Sequence, residues 1–469
     1  MPAQNSAANY RIIRELYTQD YLNEGEIMRD NNGLFLTQMM RPLSKFLDDR
    51  MRSILLLFSA TIIAFIWANS SYSDSYYALW DTLITVSIGR YGISNSLGHW
   101  INDALMAYFF FVIGLEIKRE LLVGELSSIE NAILPAIAAV GGMVFPALIY
   151  LLLTQGGPGH AGWGIPMATD IAFSLACLTA LGSSIPLALK VFLMALAIFD
   201  DMGAILVIAL FYTEQISLVN LGFGFIILSV SAFLNFKGVR KTYPYALLGI
   251  ALWVTFFLSG IHATIAGVLL AFTIPARARH NQTQFISEAE GIINSFPNGD
   301  FHLMCTDETQ RKMMKKLKVS VDNLDSPLQK LEDKLYPFVN YLVLPVFALA
   351  NAGVNLGQGN GTISSMSPVF WGIAAGLVIG KPIGITLLSW LSVRFGIAQL
   401  PSGIMWMQIW AMSCLAGIGF TMSLFITNLA FSDPLLIHQA KLAIIIGSIL
   451  SAFLGMAVFF LFNAIRRAK

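Results

Sequence analysis

Residues 186–213 read PLALKVFLMALAIFDDMGAILVIALFYT. The stretch 186–212 exceeds the roughly 20 apolar residues that a helix needs to cross a bilayer. Its only carboxylates, Asp200 and Asp201, are adjacent and stand near its middle. A charge at that depth costs about 2.5–3.5 kcal/mol on insertion scales, so a pair of them marks a candidate functional site.

The rest of the chain has the same character. Of its 469 residues 56% are hydrophobic and 12% charged, about half the charge of an ordinary soluble domain. So few charges cannot cover a globular surface, and the length reads as a polytopic membrane protein rather than several soluble domains. With 29 Lys and Arg against 28 Asp and Glu, no basic excess points to nucleic acid. Cys177, Cys305 and Cys414 lie too far apart for a disulfide framework or a zinc site. No phosphate-cradling Gly-rich loop with Lys argues for ATP drive, and the reading calls for no cofactor.

The expected fold is all-α and polytopic. Apolar stretches recur at 53–69, 98–122, 132–154, 163–182, 186–212, 217–235, 243–259, 260–275, 335–352, 369–392, 403–430 and 439–463. That gives about twelve spans, or eleven or thirteen, because little polar sequence separates the two that meet at Ser259-Gly260. The domains follow: a cytoplasmic tail over 1–51, spans one to eight over 52–276, a cytoplasmic insert over 277–330 and the last spans over 331–469. Lys and Arg concentrate in alternate loops: Lys118 and Arg119, then Lys237 to Lys241, then 277–334, then Arg394 and the C-terminal Arg466, Arg467 and Lys469. Loops such as TQGGPGHAG (154–162) have none. This asymmetry places both termini in the cytoplasm. Residues 81–96, DTLITVSIGRYGISNS, alternate around Gly89 and Gly92 as a small extracytoplasmic β-hairpin. In the insert, RKMMKKLK (311–318) is either a solvated linker or a contact for anionic lipid or a regulator.

Within the spans few ionisable groups remain: Asp103, Glu116, Asp170, Asp200, Asp201, His262 and Lys381. Asp170, Asp200, Asp201 and Lys381 sit at mid-depth. One Asp–Lys pair can simply hold helices together, but three acids form more than a strut. Adjacent carboxylates out of water take up protons near neutral pH. Deprotonated, they offer hard oxygen ligands to a small cation, so proton and cation compete for the same atoms. In WGIPMATDIAFSLACLTALG (163–182), Pro166, Thr169 and Asp170 precede a helical run, and Gly417 and Gly419 interrupt the 403–430 span. Such glycines serve either close packing or broken helices around a transport site. The two spans run in opposite directions, so 132–212 and 369–464 read as inverted repeats. Asp170 and Lys381 suit the compensation of exposed helix ends.

The stretches WINDALMAYFFFVIGLEIKREL, GIPMATDIAFSLA, AIFDDMGA, SGIHATIAGVLL, LPVFALANAGV, GKPIGI and GIGFTMSLFI, in that order, resemble the NhaA sodium/proton antiporters from about residue 52 onward. This family is itself one of the examples from which the broken-helix rule is drawn. The resemblance implies ion-binding roles for Asp200 and Asp201, with Asp170 and Thr169 at the crossing of two unwound helices. It implies charge compensation by Lys381, an outer acid in Asp103, a funnel acid in Glu116 and a pH-response histidine in His262. It further implies a dimer formed through the 81–96 hairpin and a bacterial inner-membrane location. The implied activity is electrogenic exchange of two entering protons for one departing Na⁺ or Li⁺. At the cytoplasmic start of the ninth span the chain reads LEDKLYPF, with Glu332, Asp333 and Tyr336 and no histidine, so an altered pH response is expected there. The rival readings are a passive cation channel, which needs no proton coupling, and an intramembrane aspartyl protease, which needs two facing Asp.

Overall fold

The computed structural model describes residues 49–88, 91–157, 159–182, 185–213, 216–278, 282–295, 308–322, 325–356, 367–401 and 403–468. The chain divides into two units, residues 1–52 and 53–469. The expected tail over 1–51 lies outside the described residues except at its end, as do the hairpin residues Gly89 and Arg90 and parts of the insert.

The elements begin with α1 (Asp49–Ala68) and the short α2 (Ser73–Asp81), bent from it by 114°. Strands β1 (Leu83–Ile88) and β2 (Tyr91–Ser96) pair antiparallel, with Leu83 opposite Ser96 and Ile88 opposite Tyr91. Helices α3 (Leu97–Val123) and α4 (Ile129–Leu153) follow. A tight 3₁₀ segment, His160–Met167, leads to α5 (Ile171–Ala180), then to α6 (Leu187–Phe211), α7 (Leu218–Phe236), α8 (Tyr243–Ser259) and α9 (Ala263–Thr273). The insert contains α10 (Gln282–Asn294) and α11 (Glu308–Asp322). Then come α12 (Pro327–Phe338), α13 (Leu344–Asn351), α14 (Pro368–Arg394), α15 (Trp406–Ala416), α16 (Phe420–Ala430) and α17 (Pro434–Ala468).

Seven of the described helices are long and apolar enough to cross a membrane, or nine if each of two bent pairs is one span. Their surfaces agree. Helix α7 buries Gly224 and Ser231 but exposes Leu218, Val219, Phe223, Phe225 and Phe233. The Ser231 hydroxyl is satisfied by Thr273 Oγ1 at 2.7 Å. The other hydroxyl, Ser229, is exposed but bonded to the Phe225 carbonyl of its own helix at 2.8 Å, and a helix that satisfies its hydroxyls internally while exposing bulky apolar side chains is built for a hydrocarbon solvent. The chain is a multi-pass membrane protein.

Helix packing is set by small residues, as expected where lipid competes equally for apolar side chains. On α14, Gly376, Gly380 and Gly384 recur one turn apart and receive the 3₁₀ segment and α4. A Cβ added at Gly376 meets Pro166 Cβ at 2.7 Å, at Gly380 it meets Pro146 Cα at 2.8 Å, and at Gly384 it meets the Gly141 carbonyl oxygen at 2.1 Å. The backbones of α4 and α14 thus touch at the Gly141–Gly384 crossing. Helices α3 and α9 meet the same way, since a Cβ at Gly267 stands 2.3 Å from the Ala107 carbonyl oxygen. Lys118 Nζ then closes the C-terminal end of α9 by donating to the carbonyls of Phe272 (2.7 Å) and Ile274 (2.5 Å). A cation there complements the negative helix end.

The Gly384 contact is with backbone, which cannot rotate away. Gly384→Val is expected to destabilise by about 3 kcal/mol, the upper part of the overpacking range. Gly222→Ala on α7, where an added Cβ meets nothing within 4 Å, is expected to cause no loss and to stabilise by up to about 1 kcal/mol. Thermal unfolding of the detergent-solubilised chain checks both.

Candidate functional site: two broken helices and a buried ion pair

Two interruptions meet in the second unit. The first follows His160–Met167, where Pro166 lacks a backbone donor. Ala168 is extended, with ψ 146°, and Asp170 opens α5 as its N-cap, accepting from Phe173 N–H on Oδ1 at 3.2 Å. Asp is among the preferred residues at that position because its oxygen satisfies an orphan donor of the first turn. The second interruption separates α15 from α16, which are bent by 47° across residues 417–419. A Cβ at Gly417 stands 2.4 Å from the Leu377 carbonyl oxygen, so the glycine permits a close backbone approach. Asp170 N–H donates to the Ile418 carbonyl at 2.7 Å and ties the two interruptions together.

The charges follow from the broken ends. Asp170 Oδ2 accepts from both the backbone N–H (3.0 Å) and the hydroxyl (2.5 Å) of Thr421, in the first turn of α16. One carboxylate therefore caps two helix N-termini, where the helix dipoles favour negative charge. The opposite end, the C-terminus of α15, leaves orphan carbonyls. Thr169 Oγ1 donates to Ala416 O at 3.0 Å and Ser174 Oγ to Leu415 O at 2.9 Å. Ser423 Oγ, on α16, reaches back to Ile165 O at 2.8 Å.

Lys381 follows a wide π-type turn, Gly376–Gly380, in α14 and has no solvent exposure. Such turns concentrate at functional sites. Its Nζ donates to Asp200 Oδ2 at 2.5 Å and to Thr169 Oγ1. Thr169 Oγ1 also lies 2.5 Å from the same Asp200 oxygen. The other carboxylate oxygen, Asp200 Oδ1, is buried with no hydrogen-bond partner among the described residues. Asp201 is 3% exposed, and among the described residues its carboxylate takes no hydrogen bond. Two adjacent acids thus stand out of water, one half-neutralised and one without a hydrogen bond among the described residues, and each has oxygen to offer.

The structure brings Thr169, Asp200 and Lys381 into direct contact, with Asp201 adjoining them. Asp170 belongs instead to the crossing, and both its oxygens are taken by helix N-termini and Thr421. Asp103 lies in a wide turn of α3, Ile101–Leu105, and pairs with His99 Nε2 at 2.9 Å. His262 is the N-cap of α9, and its Nε2 meets the Tyr212 carbonyl at 2.7 Å. Tyr212 in turn hydrogen-bonds the 3₁₀ segment through Ala161 O (2.7 Å) and Gly164 N–H (3.2 Å). Glu116 is half-buried on α3. Among the described residues no three His, Cys, Asp or Glu side chains stand together as a metal cage.

Glu332, on α12 outside the spans, is buried beside Arg119, whose Nη1 is 3.3 Å from Oε1 and whose Nη2 holds Glu120 at 2.9 Å. Burial pushes the Glu332 carboxyl up to about 7, opposed by Arg119 and reinforced by Glu116, Asp333 and Glu120. The folded state thus holds this proton more tightly than the unfolded chain. Its contribution to stability is complete below 4.5, the ordinary value, and is lost as pH rises through about 7.

Several residues at the site carry no sequence signal of their own. Thr421, Ser174 and Ser423 look like ordinary helix hydroxyls until the crossing gives them partners. An amide chain does the same: Asn428 Nδ2 donates to Asn351 Oδ1 at 2.7 Å, and Asn351 Nδ2 to Asn102 Oδ1 at 2.9 Å, joining α16, α13 and α3. Three Asn spread over more than three hundred residues give no local hint of contact.

A membrane protein of broken, crossing helices around a buried acid pair with one lysine counter-ion has the layout of an ion-coupled transporter. Residues 44–459 match the family described as Na+/H+ antiporter 1. A Na(+)/H(+) antiporter NhaA of Oleidesulfovibrio alaskensis is 46% identical over 425 residues, covering 90% of this chain and 94% of that one. Proteins of the same description from Koribacter versatilis (43% identical, 93% and 95% covered) and Wolinella succinogenes (46%, 88% and 91%) are similar. The chain belongs to the Na+/H+ antiporter 1 family.

Two outcomes test this geometry. Lys381→Met leaves Asp200 buried without its counter-ion and is expected to cost about 3–5 kcal/mol. Adding Asp200→Asn is expected to recover much of that loss, as read by thermal unfolding in a double-mutant cycle. Stability is also expected to fall between about pH 4.5 and pH 7 through Glu332, and Glu332→Gln should flatten that component.

Proposed function

We propose that the chain is an electrogenic Na⁺(Li⁺)/H⁺ antiporter of a bacterial inner membrane. It exports one Na⁺ or Li⁺ for two entering protons, in the service of sodium and pH homeostasis. The observation that carries this reading is the divided state of Asp200: one oxygen is held by Lys381 and Thr169, and the other is buried without a donor beside Asp201.

A hard cation seeks oxygen ligands. Asp200 Oδ1 and the Asp201 carboxylate supply negative ones, and Thr169 Oγ1 and the carbonyls at the helix breaks supply neutral ones. A proton on either carboxyl removes the charge that the cation needs, so cation and proton exclude one another. Two carboxyls carry two protons in one direction and a single Na⁺ in the other, moving one net charge per cycle. Lys381 limits the site's affinity, since it competes with Na⁺ for Asp200, and a transported ion must leave as readily as it enters. Asp170 keeps the half-helices α5 and α16 together as they reorient. Asp103 with His99, Glu116 with Arg119 and Glu332, and His262 with Tyr212 serve the approaches and the pH response.

The proposed frame is twelve spans with both termini cytoplasmic and inverted repeats over 132–212 and 369–464. The paired breaks, at Ala168–Asp170 in one half and Gly417–Gly419 in the other, support it. So do the short helices α8 and α9, which sit where separate spans are expected. A homodimer through β1 and β2 is supported by the exposed apolar residues Leu83 and Val86 on β1.

The test is a pH-gradient assay in everted membrane vesicles. Addition of Na⁺ or Li⁺ should collapse an imposed gradient in the wild type, and a gradient that persists would sink the antiporter reading. Asp201→Asn should abolish the response, and an unaltered response would remove Asp201 from the site. Passive cation conduction without proton movement would instead support a channel.

A further inference from the structure

The transport site makes no use of the insert between α9 and α12, which holds the most concentrated run of cations in the chain. Its ends are joined: Leu328 N–H donates to the Pro275 carbonyl at 3.1 Å, immediately beyond α9. Ser326 and Gln329 lock the return with a reciprocal capping box. Helix α11 ends at Asp322, six residues before that clamp. Six residues span at most about 20 Å, so α11 is tethered close to the membrane face at which α9 ends.

The faces of α11 are clearly divided. Ser320 is buried and donates to Glu288 Oε2 of α10 at 2.7 Å. Leu317 and Met313, one and two turns before it, are half-buried on the same side. The remaining surface carries Arg311, Lys312, Lys315, Lys316 and Lys318, all exposed. At about 100° per residue these five cover some 160° of the helix. Val319 stands within the arc, and Met314 and Val321 lie beyond its Lys318 edge, each 42–52% exposed. Glu308 is the one acid in the first turn, and it pairs with Lys312 at 3.4 Å. A soluble linker gains nothing from leaving three apolar side chains open among five cations. A helix lying at an anionic interface gains from both, through attraction to the headgroups and burial of the apolar residues.

We propose that α11 is a docking surface for the anionic phospholipid headgroups of the bilayer in which the chain is embedded. The cations match headgroup phosphates, Met314, Val319 and Val321 enter the boundary beneath them, and α10 covers the opposite face. Contact with the leaflet fixes the insert beside the cytoplasmic end of α9 and beside Glu332 and Arg119. The inference rests on the chain being a membrane protein and not on the ion it transports.

The test uses the full chain in nanodiscs of phosphatidylcholine alone or of equal parts phosphatidylcholine and phosphatidylglycerol, with amide hydrogen exchange read over 308–322. Exchange is expected to slow in the anionic discs and to return to the phosphatidylcholine rate at high salt, which screens surface charge. The triple variant Lys315→Gln, Lys316→Gln, Lys318→Gln keeps good helix formers and should lose the effect. Each charge removed is expected to weaken lipid contact about fivefold. Equal exchange in the two discs overturns the proposal, as does slowing that survives the triple variant. Protection that is the same in both discs and in detergent means that protein covers α11, the N-terminal tail for example, and also overturns it. Na⁺-driven proton movement in liposomes of the same lipids reports on antiport separately. Its absence would count against the proposed function and leave the lipid contact standing.

Discussion

Everything at the centre of this protein depends on keeping a carboxylate charge where there is no water. Asp200 shares its Oδ2 with Lys381 Nζ, and neither side chain has measurable access to solvent. An ion pair of this kind gives little net stability, because desolvating both charges cancels most of their attraction. It does oblige each partner to keep the other. The remaining oxygen of Asp200 and the whole of Asp201 then form a local excess of negative charge that only a proton or a cation can relieve. In the proposed function, the pair is the fixed half of a site whose other half is exchangeable.

The same constraint shapes the backbone. In a membrane, interrupted helices are tolerated only where their freed groups are satisfied by protein or by a water-lined cavity. Here the repair is reciprocal. Asp170 closes the N-termini of α5 and α16, Thr169 and Ser174 close the C-terminus of α15, and Asp170 N–H closes the gap to Ile418. Thr169 belongs to both systems, since its hydroxyl meets Ala416 O, Asp200 and Lys381. Asp200 is therefore joined to the helix crossing through a single hydroxyl. The glycine groove of α14 has a matching role: it brings α4 and the 3₁₀ segment close enough for Lys381 to reach across.

Much of this was legible in the sequence. The apolar spans, the isolated mid-span acids and the proline and glycine interruptions are each written locally, in runs such as AIFDDMGA and MATDIAF. Membrane solvent makes such signals strong, because a charge or a break that is cheap in water is costly in lipid and stands out against the apolar background. Groups that carry no such cost on their own were not legible. Asn102, Asn351 and Asn428, like Thr421 and Ser174, are unremarkable in any single helix. Arg119 reads as a loop charge that sets orientation, yet it faces Glu332 and Glu120.

By itself, then, the sequence determined the solvent, the class of fold and the identity of the acids and the lysine, because those follow from burial cost and helix period along one strand of chain. The tertiary structure alone decided which acid each partner serves. It gave Lys381 to one oxygen of Asp200 and assigned Asp170 to two helix ends. Among the described residues it left Asp200 Oδ1 and Asp201 without a hydrogen bond. Those assignments turn on contacts between residues up to 251 positions apart. No local pattern encodes them; they arise when three interrupted or glycine-lined helices pack closely enough to share their polar groups.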